Sequence, residues 1–318
     1  MATVTAAMVK QLREMTGAGM MDCKKALSNT DGDMDKAVEF LREKGLAAAA
    51  KKAGRIAAEG LVKALVENDK KAVVVEVNSE TDFVAKNVDF QNYVGEVAAQ
   101  ALETKAQTIE EFMAEPWALE PSKTVEQELS SKISVIGEKL SIRRFEKMEI
   151  ENGCIVSYIH GGGRIGVLVE AETDVVNEAV KEALKNVAMQ IAALKPQYVS
   201  RDEISDEFIE KEREILKTQA KNEMPDKPDN IIDKMIIGRL NKELKEFCLL
   251  DQQYVKDGDL TVGKYLQQVS KEVGGAVTVK KFVPVSYTHL DVYKRQAGSS
   301  QDPELFNAKD HADRPAAL

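Results

Sequence analysis

Apolar residues in the first part of the chain recur at helical spacing, and glycine or aspartate separates one stripe from the next. The first stripe consists of Val4, Met8, Val9 and Leu12. We expect this helix to end at Gly17, a second helix to follow, and a third to begin at Asp33 and end at Gly45. An alanine- and lysine-rich linker helix would then cover residues 47–53. The pattern predicts a helical unit over residues 1–55, whose small core should make it only marginally stable by itself.

From Glu59 onward the pattern changes to β-branched and alternating residues, which are typical of strands. Two predicted strands, residues 61–66 and 72–77, flank the turn sequence of residues 67–70 and form a hairpin. Helical spacing returns with Phe90, Val94, Val97, Ala98 and Ala101. The stretch 78–86 is therefore predicted to be a corner between a buried strand and a helix.

Within this corner, Phe83 lies just beyond the strand and among polar residues. One interpretation places Phe83 in the core and makes Asp82 the cap of the following helix. The other leaves Phe83 exposed beside a carboxylate, as in an aromatic hot spot that fills a pocket of a partner protein. The residues alone leave both interpretations open.

A second set of elements repeats the order of hairpin and helix. We predict a strand over residues 141–150, then a hairpin of residues 154–159 and 165–170, then another helix. The fold class that follows is α+β, with two related core subdomains, residues 56–139 and 140–284. The similarity lies in the order of the elements, and we identify no repeat of individual residues.

Two features of the second subdomain need separate interpretation. Between residues 200 and 250, two apolar helical stripes separated by Pro225 and Pro228 predict an inserted helical hairpin. Residues 161–164, Gly-Gly-Gly-Arg, could form a phosphate-binding loop or a hairpin turn. The turn is favoured, because this segment joins two strands and does not open a helix.

Composition and charge exclude several classes of protein. The formal net charge of −9 disfavours non-specific nucleic-acid binding. Cys23, Cys154 and Cys248 are far apart and lack metal-ligand spacing, which suits a reducing cytosol. The sequence has no signal peptide and no apolar run of about 18 residues, so we expect a cytoplasmic chain without a membrane span.

Catalytic chemistry has little support. His160 is the only histidine before residue 285, and no Walker A motif occurs. Neither a histidine-based metal site nor a histidine-based triad is favoured. We therefore expect a binding protein that is not an enzyme and has no cofactor or metal.

Three stretches of the sequence carry a resemblance to a known family. Thr81-Asp82-Phe83-Val84-Ala85-Lys86 resembles the signature of bacterial translation elongation factor Ts. Residues 16–27 and 160–169 resemble two further motifs of the same family, in the same order. The resemblance covers roughly residues 1–284.

The resemblance implies a fold and a function. The N-terminal unit would have a ubiquitin-associated-like three-helix fold. The chain would bind elongation factor Tu as a guanine-nucleotide exchange factor, with the Asp82-Phe83 corner near the Mg²⁺ and phosphate site of its partner. A different interpretation is a ubiquitin-associated-like adaptor or chaperone without exchange activity. Whether the core or the hairpin also forms a homodimer stays open.

The resemblance also implies which residues contact the partner, and no direct contact with nucleic acid. These residues are Thr81, Asp82, Phe83, Val84, Arg13, Met20, Met21, Lys24, Ile136, Gly137 and His160. The residues alone leave two interpretations of the methionine pair, because neighbouring side chains on a helix point about 100° apart. The pair could comprise one core and one surface residue, or two adaptable contacts for a partner.

The end of the chain departs from the family pattern. Residues 285–290 can be written as DNA whose reverse complement, in another frame, encodes residues 291–295, with Gln296 completing it. Such an inverted repeat resembles a sequencing adapter read in both directions. We therefore predict that residues 285–318 form an artefactual, disordered tail.

Overall fold

The computed structural model describes residues 4–225 and 227–287. The chain begins with three helices: α1 (Ala6–Thr16), α2 (Met20–Asn29) and α3 (Met34–Lys52). The Thr5 hydroxyl caps α1, which ends at Gly17 with a φ of 67°, and the Asp33 carboxylate caps α3. Leu12, Cys23, Ala26, Leu27 and Ala37 form the small apolar core between these helices. The predicted helical start of the chain is confirmed.

The first α+β half follows. Its elements are β1 (Glu59–Glu67), β2 (Lys71–Ser79), α4 (Asp82–Ala85), α5 (Val88–Glu103), α6 (Ile109–Ala114), β3 (Pro116–Trp117), β4 (Glu120–Thr124), α7 (Val125–Ile136) and β5 (Ser141–Glu149). Asn68 and Asp69 both have positive φ, of 51° and 57°, as a tight hairpin turn between β1 and β2 requires. The sheet has the order β1-β2-β5, and all pairs are antiparallel.

The pairing of β5 corrects the predicted boundary between subdomains. Residues 140–149 were expected to open the second subdomain, but β5 pairs with β2 and completes the first sheet. The residue pattern shows that this segment is a strand, but it does not specify the strand with which it pairs. Arg144 of β5 also donates a hydrogen bond of 2.7 Å to the fully buried Glu76 of β2.

Gly45 corrects the predicted end of the third helix. The helix α3 continues through Gly45 to Lys52, so the predicted linker helix is its last part. At Gly45, α3 packs closely against α7: a Cβ atom there would lie 3.4 Å from the carbonyl oxygen of Ser130. Glycine at this position therefore permits close packing of two helices rather than a helix end.

The second half has the same architecture. Its elements are β6 (Cys154–His160), β7 (Ile165–Glu172), α8 (Glu178–Leu194), α9 (Asp206–Glu223), α10 (Asp229–Phe247), β8 (Gln253–Tyr254), β9 (Asp257–Thr261), α11 (Val262–Val273) and β10 (Thr278–Ser286). The sheet has the order β6-β7-β10. The helices α9 and α10 form the predicted inserted hairpin, with a separate apolar core that includes Leu216, Ile232, Ile236 and Leu240.

The two sheets pack against each other through one face each. Val62, Val74, Met148, Ile155 and Leu168 lie in the core between the sheets. The other face of the first sheet is covered by α5 and α7, and that of the second by α8 and α11. The α+β fold class is confirmed. Within the described residues, no helix is long and apolar enough to cross a membrane.

The two halves share individual residues as well as topology, contrary to our expectation from the sequence. Gln100 of α5 donates to the carbonyl of Pro116 (3.0 Å) and accepts from the N–H of Ala118 (2.9 Å). Gln190 of α8 makes the same two bonds to Gln253 and Val255. Threonine caps α7 and α11, and a glycine with positive φ ends each of them.

The structure also corrects the predicted start of the tail. Val285, 1% exposed, lies in the core between the sheets, and Ser286 is the last residue of β10. Arg144 donates to the carbonyl oxygen of Ser286 at 3.1 Å. Residues 285–287 therefore belong to the fold, and the remainder of the predicted tail, residues 288–318, lies outside the described residues.

Candidate protein-interaction site

The corner after β2 is a single helical turn. Thr81 caps α4, and its hydroxyl accepts the N–H of Val84 at 3.4 Å. Asp82 is the first residue of α4 and not its cap, so the interpretation that made Asp82 a helix cap is wrong. The Asp82 carboxylate instead accepts a hydrogen bond of 2.7 Å from the Lys86 ammonium, which lowers the pKa of Asp82.

The exposure of Phe83 decides between the two interpretations of the corner. Its side chain is 82% exposed, whereas Phe90 of α5 is 0% exposed and fills the core beneath the first sheet. Val84 packs against this core and Ala85 is buried, and successive residues on a helix point about 100° apart. Phe83 therefore projects into solvent from a single helical turn.

Three hydrogen bonds, accepted by one glutamate from each side, hold the corner against the segment after α7. Glu138 accepts the backbone N–H of Thr81 at 3.0 Å and its hydroxyl at 2.6 Å. Glu80 in turn accepts the backbone N–H of Lys139 at 2.6 Å and the Arg55 guanidinium at 3.1 Å. The hydrogen bond from the Lys139 amide, and to a smaller extent that from Arg55, holds the pKa of Glu80 below its usual value. We call these contacts of Glu80 and Glu138 the carboxylate clamp.

The clamp brings two further predicted residues beside the corner. Gly137 ends α7 with a φ of 86° and is exposed, and Ile136 is half-buried. Since Glu138 follows Gly137 directly, its bonds to Thr81 place the end of α7 next to α4. Thr81 and Val84 therefore belong to the corner that carries Phe83, and Ile136 and Gly137 lie at the end of the helix beside it.

His160 lies at the end of β6, near the same edge of the two sheets. The exposed imidazole Nδ1 lies 2.8 Å from the Tyr158 hydroxyl oxygen. The turn after His160 contains three glycines with positive φ, and the Gly163 carbonyl accepts the Val62 N–H at 2.7 Å. A Cβ atom at Gly163 would overlap the Leu61 side chain, and the φ of 96° is one that glycine adopts more readily than other residues. The hairpin-turn interpretation of residues 161–164 agrees with this geometry.

The methionine pair forms a second patch on the N-terminal helices. Met20 and Met21 open α2 and are 58% and 74% exposed, so neither is a core residue. Arg13 and Lys24 are also exposed. Across the described residues, no hydrogen bond or ion pair connects these four side chains with the corner. The structure therefore separates the predicted contact residues into two patches.

Sequence reasoning missed the residues of the clamp. Glu80 and Glu138 are ordinary acidic residues in the sequence, and 57 residues separate Thr81 from Glu138. A signal did exist, because Glu80 adjoins the corner and Glu138 adjoins Gly137, but neither fact predicts their contact. Over the part of the chain that the structure describes, no cluster of three or more His, Cys, Asp or Glu residues could hold a metal ion.

These features define a class of protein: a duplicated α+β protein with an N-terminal helical unit and an exposed aromatic on a fixed corner. Residues 80–287 match the family model described as Elongation factor TS. The chain is 54% identical to Elongation factor Ts of Clostridium perfringens (strain SM101 / Type A) over 281 residues, 88% of this chain and 91% of the relative. It is 53% identical to Elongation factor Ts of Clostridium kluyveri (strain ATCC 8527 / DSM 555 / NBRC 12016 / NCIMB 10680 / K1), with the same coverage of both chains.

The chain therefore belongs to the elongation factor Ts family. The matched region extends to Tyr287, so it includes the residues at 285–287 that the sequence interpretation had assigned to a tail.

Proposed function

We propose that this chain is a guanine-nucleotide exchange factor that promotes GDP release from elongation factor Tu during translation elongation. Family membership supports the general role. The exposure of Phe83 is the observation that supports this corner as the contact site: the residue is 82% exposed, and the carboxylate clamp holds the corner on which it lies. An aromatic side chain in solvent contributes little to folding, whereas it can contribute strongly to binding in a pocket of a partner.

The mechanism we propose is a coupling of free energies between two ligands of the same partner. Phe83 and Asp82 would enter the GTPase near its Mg²⁺ and phosphate site and disturb the groups that hold the nucleotide. Exchange factor and nucleotide would then weaken each other's binding by the same factor. GDP leaves faster, and GTP subsequently displaces the factor. The chain itself would catalyse no covalent reaction.

The two patches would have different tasks in this mechanism. Thr81 and Val84 support Phe83, while Ile136, Gly137 and His160 would extend the contact around it. Met20 and Met21, with Arg13 and Lys24, would attach the N-terminal unit to another part of the same GTPase. Methionine suits such a surface, because its unbranched side chain adapts to the partner.

Further parts of the proposal follow from this role. A factor that acts on elongation factor Tu would work in the cytoplasm and without direct contact with nucleic acid.

Burial raises the pKa of the Cys23 and Cys154 thiols and raises that of Cys248 to about 11, so all three disfavour the reactive thiolate. A homodimer through the core or through the α9–α10 hairpin would be compatible with either patch.

The test is the release of labelled GDP from elongation factor Tu with and without this chain. We expect faster release with the wild-type chain, a large loss with Phe83→Ala, and no loss with Leu119→Ala. Leu119 is a matched control, because it is also exposed and apolar but lies in the turn between β3 and β4. An unchanged rate with the wild-type chain would instead favour the adaptor without exchange activity.

A further inference from the structure

The corner that carries Phe83 has a counterpart in the second half of the molecule. Residues 80–84 read Glu-Thr-Asp-Phe-Val, and residues 172–176 read Glu-Thr-Asp-Val-Val. The first segment follows β2, and the second begins at the last residue of β7, the equivalent strand. Each corner leads to a helix capped by asparagine, Asn87 for α5 and Asn177 for α8. The duplication therefore supplies an internal comparison for the corner.

The two corners differ in the direction of the residue after aspartate. Phe83 projects into solvent, whereas the equivalent Val175 is half-buried. A Cβ atom added to Gly275 would lie 2.6 Å from a methyl carbon of Val175, so Val175 fills the space above this glycine. The Thr173 hydroxyl accepts the N–H of Val175 at 3.1 Å, within its own corner.

The residue that occupies the equivalent of Gly275 in the first half is Glu138. Both positions come directly after the glycine that ends the helix, Gly137 for α7 and Gly274 for α11. The glutamate accepts both donors of Thr81, and a glycine has no side chain with which to do so. The first corner is also longer by two residues before its asparagine cap, and these residues, Ala85 and Lys86, complete the turn of α4.

We propose that Glu138 is the positioning residue that turns the corner outward and fixes Phe83 in its binding orientation. This inference rests on the proposed function. A carboxylate that accepts two hydrogen bonds at a half-buried position restrains the corner more strongly than a neutral acceptor would. A corner already fixed in the free protein loses less conformational freedom on binding, so the partner binds it more favourably.

The second carboxylate of the clamp connects this restraint to the N-terminal helices. Lys139, whose amide binds Glu80, also donates from its ammonium to the carbonyl oxygens of Ala53 (2.6 Å) and Arg55 (2.8 Å). The Arg55 guanidinium in turn donates a hydrogen bond of 3.1 Å to the Glu80 carboxylate. The segment after α7 therefore joins the corner to the end of α3. Glu138 orients Phe83, and Glu80 and Lys139 secure the segment that carries Glu138.

The first experiment measures the corner in the free protein, without a partner. Amide hydrogen exchange at Thr81 should accelerate at least about tenfold in Glu138→Ala, because its acceptor is lost, and less in Glu138→Gln. Glu126→Gln is the matched control: the exposed side chain of this α7 residue makes no hydrogen bond or ion pair within residues 4–225 and 227–287. Unchanged protection of Thr81 in Glu138→Ala would overturn the proposal, whatever the exchange activity.

The second experiment is a double-mutant cycle on GDP release from elongation factor Tu. Glu138→Ala should slow release about fivefold in the wild-type background and have little further effect in Phe83→Ala. Equal losses in both backgrounds would show that Glu138 acts without Phe83 and would overturn the proposal. If the wild-type chain does not accelerate release at all, the proposed function fails, while the hydrogen-exchange result still decides the role of Glu138.

Discussion

Phe83 and Phe90 are identical side chains only seven residues apart, but one lies in solvent and the other in the core. Phe83 is 82% exposed and Phe90 is 0% exposed. Replacing each by alanine therefore separates an effect on binding from an effect on folding. The pair is also internally controlled, because both substitutions remove the same atoms.

The magnitudes follow from burial. Phe90→Ala removes a ring from the core formed by β2, α5 and α7, and should cost about 3–5 kcal/mol of unfolding free energy. Phe83→Ala removes few contacts and should change stability by less than about 0.5 kcal/mol. If Phe83 fills a pocket of elongation factor Tu, the same substitution should cost about 2 kcal/mol of binding, or roughly thirtyfold in Kd.

The measurements are urea unfolding of each variant and titration of the factor in a GDP-release assay. We expect Phe90→Ala to lower the urea midpoint, with the exchange rate per folded molecule nearly retained. We expect the reverse for Phe83→Ala. The reasoning would be refuted if Phe83→Ala lowered the midpoint as strongly as Phe90→Ala and left the exchange rate per folded molecule unaltered.

Three further predictions concern other parts of the molecule. Replacing Met20 and Met21 by alanine should slow nucleotide exchange at low factor concentration, and excess factor should restore the exchange rate. A defect that persists at saturating factor would instead place these residues in the step that displaces the nucleotide. Because the pKa of Glu80 is lower in the folded protein than its ordinary value of 4.5, the Glu80 carboxylate stabilises the fold at pH values above 4.5. This contribution is lost as the pH falls below 4.5 and Glu80 becomes protonated. The unfolding free energies of the wild type and Glu80→Gln, measured over this acidic range, should therefore converge. Truncation after Tyr287 should change stability by less than about 0.5 kcal/mol. Truncation before Val285 should cost about 2 kcal/mol or more, because a buried valine and a strand end are lost, and equal melting temperatures of the two truncations would contradict this.

The sequence predicted the elements that depend on neighbouring residues. The turn at Asn68 and Asp69 requires two positive φ angles, which asparagine and aspartate tolerate, so the hairpin β1–β2 was predictable. The inserted hairpin was predictable because Pro225 and Pro228 interrupt two clear apolar stripes. In each case the decisive information lies within a few residues of the element.

The features that were predicted wrongly depend on residues far away in the chain. Gly45 is compatible both with a helix end and with close helix packing, and only the position of α7 decides between them. The strand β5 has a clear pattern, but its pairing with β2 is a long-range contact. Val285 lies where the family-like part of the sequence ends. Its burial depends on pairing with β7, more than 100 residues earlier in the chain, so neighbouring residues did not predict it.

The candidate site shows the same limit in one residue. Residues 80–84 alone do not decide whether Phe83 turns inward, since the equivalent Val175 is half-buried in a closely similar segment that lacks the two residues Ala85 and Lys86. Two differences make the choice: the additional residues that complete α4, and Glu138, 57 residues beyond Thr81, which accepts two hydrogen bonds that Gly275 cannot accept. The repeat that reveals this difference is obscured because the α9–α10 hairpin separates α8 from β8 and α11 in the second half only. Comparison of the halves in space, element by element, restores the equivalence. An exposed aromatic thus follows from the added turn of α4 together with one carboxylate at a position that its duplicate fills with glycine.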